Sequence, residues 1–200
     1  KDYNRLFLDL IGKLKDTAPE NAGSVIVQSL TEETADSRVW PSNTQLKGAV
    51  LGLPLYQLLT RGRLRMVLEA CEDALRGPKT EEPHVTHGLT IEHVMPQGWR
   101  AHWPLGIEES HEAAESRDRV VQTLGNLTLV NSRLNPSLSN GPWISADPEQ
   151  SKREGLSEHS VLRLNSELLK LAGDVWSEGL IQTRGALLAD RICAIWTRPG

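Results

Sequence analysis

The chain has 200 residues, 38% of them hydrophobic and 24% charged, with a formal net charge of −4. That is enough apolar material to bury one sizeable domain, or a compact domain with a helical extension, while the short, interrupted apolar runs rule out a membrane-spanning helix. The acidic balance counts against a general nucleic-acid coat, whose footprint is strongly basic, but not against a DNA enzyme with a local positive face.

Taken in order, Tyr3, Phe7, Leu10 and Leu14 have helical spacing. This opening does not resemble a secretory signal, so the chain reads as cytoplasmic, and its start without Met suggests a fragment of something longer. A polar stretch over residues 19–23 and a mixed segment lead to Trp40-Pro41-Ser42. Helical patterns resume over residues 44–59 and 62–75. In the second, Leu64, Val67, Leu68, Cys71 and Leu75 share a face, and Gly77-Pro78 stops it. Residues 43–80 are net positive through Arg61, Arg63 and Arg65, a pattern that suits either a solvated helix face or a local DNA contact. Cys71 and Cys193 sit in apolar patterns and read as buried small hydrophobes. With no CxxC pair, a zinc ribbon is not supported.

Residues 86–94 read as a short strand ended by Pro96. Residues 97–111 are irregular, with Trp99 and Trp103 as loop-packing aromatics. A helix is expected over residues 112–124, then a second strand over 126–130. After a short Asn- and Ser-rich piece and a polar loop through Pro148 come two amphipathic helices. One carries Val161, Leu164, Leu168 and Val175, the other Ile181, Leu188, Ile192 and Ile195.

The polar residues least easily explained by packing lie on and beside the β element. On a strand, adjacent side chains point to opposite faces, so Glu92 and His93 cannot both be core residues. Asn126, Asn131, Asn135 and Asn140 follow, although Asn is depleted in strands and poor in helix interiors. The segments TIEHVMPQ and LGNLTLVNSRLNPSLSN resemble the core of the HNH, or ββα-metal, nucleases. More narrowly, they resemble the C-terminal nuclease domain of GmrSD-like modification-dependent restriction enzymes, a group that includes the phosphorothioate-sensing phage-defence proteins of the SspE type. The likeness spans roughly residues 40–197.

The resemblance implies a mainly α fold with a small central ββα-metal element, a two-stranded antiparallel hairpin plus a short helix embedded in a helical domain. Residues 1–39 would be an N-terminal helical extension or linker from a missing upstream domain. Residues 40–200 would be the nuclease, with a helical scaffold (40–80), the ββα core (86–141) and closing helices (157–197). His93 would be the general base, Glu92 and Asn135 ligands of a divalent metal, and Asn126 a brace for the loop and for His93. Asn131, Ser139, Asn140 and Lys152 would give support, with Lys152 and Arg153 as possible phosphate contacts and His87 and His111 in the second rank. Pro136 leaves two options for Asn135, helix N-cap or free metal ligand.

Those roles suit phosphodiester hydrolysis. Mg²⁺, or Mn²⁺ in its place, is a hard cation that takes oxygen ligands and neutralises the leaving oxygen, and a neutral imidazole takes a proton from water near pH 7. The implied function is a metal-dependent DNA endonuclease domain, nicking or cutting, and the effector part of a restriction or phage-defence protein. Its partners would be DNA and an upstream NTP-binding, modification-sensing domain, with no membrane and with homo-oligomer formation open. The competing readings are a catalytically inactive DNA-binding or assembly module of the same fold, and a helical interaction domain whose Asn cluster is loop chemistry.

Overall fold

The computed structural model describes residues 3–34, 38–76, 88–105, 110–131, 140–159 and 161–198. Contacts divide the chain into two units, residues 1–45 with 197–200, and residues 46–196. In the first, α1 (Tyr3–Lys15) is helical as expected, but its buried residue is Leu6, and Tyr3 and Phe7 of the face read from the sequence stay exposed. A second helix, α2 (Ala22–Thr31), follows a turn begun by Pro19. Asn21 stands at its N-cap position but makes no side-chain cap hydrogen bond.

The second unit begins within α3 (Asn43–Gly52), which is followed by a single turn, α4 (Leu55–Leu58). The one helix expected over residues 44–59 is therefore two. Pro54 lacks an N–H and restricts the residue before it, and the chain breaks there. Thr60 caps α5 (Arg61–Leu75) by accepting from the Arg63 N–H at 3.4 Å. Leu64, Leu68 and Cys71 are buried on the face foreseen, and Cys193 is buried as well.

Strands β1 (Leu89–His93) and β2 (Leu127–Asn131) pair antiparallel, from Leu89↔Asn131 to His93↔Leu127. Between them runs α6 (His111–Val120), which ends earlier than expected because Leu124–Asn126 forms a tight 3-10 turn into β2. The short helix expected after β2, with Asn135 and Ser139, lies outside the described residues, as do His84 and His87.

The closing segments differ from the sequence reading in two ways. An additional helix, α7 (Lys152–His159), fills a stretch read partly as loop. Then α8 (Arg163–Ala172) ends at Gly173, which adopts φ +55°. The left-handed conformation favours Gly. Val161 and Val175 consequently flank this helix and are each 61% exposed, so they are not core residues. The last helix, α9 (Glu178–Ile195), buries Ile181, Leu188 and Ile192 as anticipated.

The hairpin sits between two apolar clusters. Leu89, Ile91, Leu127 and Leu129 project from one face toward Leu64, Leu68 and Leu188 of α5 and α9. Val130 on the other face joins Val94, Trp103, Trp143 and Trp176. Glu72 in α5 ties the scaffold together by accepting from the Arg163 and Leu164 N–H groups at 3.0 and 2.7 Å, the orphan donors at the start of α8. Among the described residues no helix is long and apolar enough to cross a membrane.

Candidate active site

The segment Leu124-Gly125-Asn126-Leu127 does three things in succession. Leu124 and Leu127 are core residues. Gly125 presses against α9, where an added Cβ would stand 2.0 Å from the Ile181 carbonyl oxygen, so only Gly fits. The buried Arg184 guanidinium donates to the Gly125 and Leu127 carbonyls at 2.8 and 2.7 Å. Burial pulls its pKa down to about 10. The turn entering β2 is thus fixed from both sides.

Asn126 is fully buried and uses both ends of its amide. Its Oδ1 accepts from the Met95 N–H at 2.8 Å and from the Trp176 indole N–H at 3.0 Å, and its Nδ2 donates to the Met95 and Val121 carbonyls at 2.8 and 3.0 Å. The Val94 N–H donates to the Asn126 carbonyl at 2.9 Å. A single side chain therefore clamps the chain as it leaves β1, immediately after His93.

His93 is 7% exposed, yet its ring lies among polar groups. Tyr56 meets it edge-on with centroids 4.2 Å apart. The ring Nε2 is 3.4 Å from Gln122 Oε1, and Gln122 Nε2 donates to Gln97 Oε1 at 3.2 Å. Arg61 stacks over the outer side of the Tyr56 ring, 3.3 Å from its centroid, and donates to the Tyr56 carbonyl. Burial lowers the His93 pKa to about 4, the Gln122 contact opposes that shift, and the Lys152 and Arg61 charges add to it. The imidazole is neutral at pH 7, as a base must be.

Glu92, the next residue back, faces the other way. Lys152, with its side chain 1% exposed, reaches Glu92 Oε1 at 2.5 Å and donates to the His93 carbonyl at 2.7 Å. Burial pushes the Glu92 pKa up and the Lys152 pKa down, and each charge partly restores the other. On the same face Thr128 hydrogen-bonds Asn165, whose amide donates to the Leu129 carbonyl at 2.8 Å.

The remaining candidates are scattered. Asn131 pairs with Leu89 at the far end of the hairpin, roughly 13 Å along the strands from His93 at about 3.3 Å per residue. Asn140 lies beside Gly98 in the segment following β1, its Oδ1 3.3 Å from where a Cβ there would stand. His111 sits on the surface of α6 against Glu115 at 3.5 Å. Lys152 is spent on Glu92 and the His93 carbonyl rather than offered to phosphate, and Arg153 contacts Glu154 at 2.6 Å and the Gly173 carbonyl at 3.0 Å.

Glu92 is paired with an ammonium and turned from the imidazole, and among the described residues no group of three or more His, Cys, Asp and Glu converges. The other expected ligand, Asn135, lies outside the described residues. The sequence marks Arg61 only as part of a net-positive segment and gives Tyr56, Gln97 and Gln122 no role, because these residues come from three separate segments that only the fold assembles around His93. Trp99 and Trp103 are buried packing aromatics, as read.

No curated protein and no solved structure matches the chain. Residues 40–191 do match the family model of the C-terminal domain of GmrSD restriction endonucleases; the match covers Trp40, the helical scaffold, the braced hairpin and most of the closing helices, and the chain belongs to that family.

Proposed function

We propose that this domain is the effector of a restriction or phage-defence endonuclease and hydrolyses DNA phosphodiester bonds with His93 as general base. The observation that carries this reading is the imidazole of His93 placed among Tyr56, Gln122 and Arg61 at the end of β1, where the buried Asn126 clamps the chain as it leaves the strand. Packing alone has no need of a polar ring there. In the reaction the water oxygen attacks phosphorus, its proton passes to the imidazole, and the P–O bond to the leaving oxygen breaks. Arg61 is exposed beside Tyr56 and is the cation that would meet the DNA backbone.

We propose that cleavage depends on a divalent cation, Mg²⁺ or Mn²⁺, which supplies charge neutralisation at the phosphate oxygens. Support for the cation is the chemistry of the reaction and the resemblance in the motif; Glu92 would serve as a ligand only after parting from Lys152, and Asn135 lies outside the described residues. An upstream NTP-binding domain that senses DNA modification is the proposed partner in the longer protein. A second reading, a DNA-binding or assembly module without activity, draws on the same ion pair and on the enclosure of His93.

Incubation with supercoiled plasmid separates the two. The nuclease reading expects nicked or linear product with Mg²⁺ or Mn²⁺ and none with EDTA. The binding-module reading expects retarded but intact DNA under every condition.

A further inference from the structure

We propose that the Tyr56 ring is the seat on which the site is assembled: it holds the Arg61 guanidinium stacked beside the His93 imidazole, so that a DNA phosphate met by Arg61 is presented to that imidazole. The second half of this statement rests on the function proposed above; the seating of Arg61 stands on its own contacts. Tyr56 lies in α4, a single turn that starts after Pro54. So short a helix leaves its N–H and carbonyl groups in want of outside partners. The Tyr56 N–H donates to the Gln122 carbonyl at 3.1 Å, and the Tyr56 carbonyl accepts from the Arg61 guanidinium. That guanidinium also lies over the ring, 3.3 Å from its centroid, where the negative face of the π-system attracts a cation. The imidazole meets the same ring at 70°, with centroids 4.2 Å apart. One side chain therefore touches both the proposed base and the proposed phosphate contact.

Arg61 is exposed, and an exposed arginine ordinarily samples many rotamers and loses that freedom on binding. Here the stack and the carbonyl fix it beforehand at two points. A guanidinium has several N–H donors, so the one taken by the Tyr56 carbonyl leaves others for a phosphate. Arg63 is exposed as well and has no side-chain partner among the described residues, so it brings charge without placement. Placement bears on the rate, because a phosphate displaced by about 1 Å from its position beside the base reacts about 10²-fold more slowly. Tyr56 is a positioning residue, since it acts on DNA only through Arg61 and His93.

The seat is read first without DNA, from the ¹⁵Nε order parameters of the 200-residue chain, with Arg61→Ala and Arg63→Ala assigning the two signals. Arg61 should approach the value of rigid backbone, about 0.85, and Arg63 should fall below about 0.6. Binding of a short DNA duplex in EDTA then tests the coupling. Arg61→Ala should weaken it about fivefold in the wild type and less than about twofold in Tyr56→Leu, because an unseated Arg61 has little left to lose. Tyr56→Phe keeps the ring and should keep the coupling, while Arg63→Ala should have the same effect in every background. In single-turnover nicking with Mg²⁺, Tyr56→Leu should be about tenfold slower, and Tyr56→Phe should recover most of that loss. An Arg61 side chain as mobile as Arg63 overturns the proposal even where Tyr56→Leu does not fold, and so do additive losses for Arg61→Ala and Tyr56→Leu. If the seat and the coupling appear while the wild type cuts DNA in neither Mg²⁺ nor Mn²⁺, the seating of Arg61 holds and the hydrolysis reading falls. Additive losses in a chain that cuts leave that reading standing and remove the role of Tyr56.

Discussion

Glu92 and His93 are neighbours in sequence, but the two faces of the hairpin that carry them are built on different terms. On the Glu92 face every strong polar group found has a partner: the carboxylate has Lys152, the ammonium also has the His93 carbonyl, and Thr128 and Asn165 satisfy each other. On the His93 face the contacts of the ring among the described residues are one long hydrogen bond and an aromatic edge. Closed polar networks rigidify a core, whereas groups available for chemistry keep something unspent. On the proposed reading the difference gives support to one face and reaction to the other, although the motif presents both residues as one unit.

The largest expected effect is at the point where both faces meet. Asn126→Ala removes four hydrogen bonds and strands the Met95 backbone and the Trp176 indole, and should cost about 4–5 kcal/mol, read as a lower midpoint in urea. Next comes the ion pair. Lys152→Met leaves a buried carboxylate without its cation and should cost about 3–4 kcal/mol, whereas the double variant Glu92→Leu with Lys152→Met should recover most of that loss. Single variants within 0.5 kcal/mol of wild type, a size typical of surface changes, would break the contrast between the faces.

The His93 face predicts a pH dependence instead. The folded ring titrates near 4 and the unfolded one near 6.5. Between those values the unfolded chain holds the extra proton, so stability falls on acidification from about pH 6.5 to about pH 4 and levels off below. The full swing is about 3 kcal/mol. His93→Gln should flatten it in urea titrations across that window. The smallest effect is at the rim. Arg61→Ala should weaken DNA binding roughly equally for all sequences and reduce the slope of log affinity against log salt by about 1, with stability nearly unchanged.

Much of this was legible before folding. The apolar periods of α5 and α9, the two strands, and the singling out of Glu92, His93 and Asn126 all came from local pattern and motif, whereas the period read for α1 chose a face on which Tyr3 and Phe7 are exposed. What escaped did so for physical reasons. Pro54 divides a helix whose apolar spacing runs through it. The period-based grouping of Val161 and Val175 with Leu164 failed because the helix begins only at Arg163 and Gly173 ends it before Val175. The Lys152 contact with Glu92 spans 60 residues, and the Gln122 contact with His93 spans 29; no local signal encodes either. The same distance hid the pairing of Glu92 with Lys152.

The central claim is that the imidazole of His93 takes the proton. Its most direct test is the single-turnover rate of plasmid nicking by His93→Ala, in Mg²⁺ or Mn²⁺, with the fold checked by its unfolding midpoint. A fall of about 10²-fold or more is predicted, the scale of a positioned general base, whereas a folded His93→Ala chain that cuts at the wild-type rate would contradict the account.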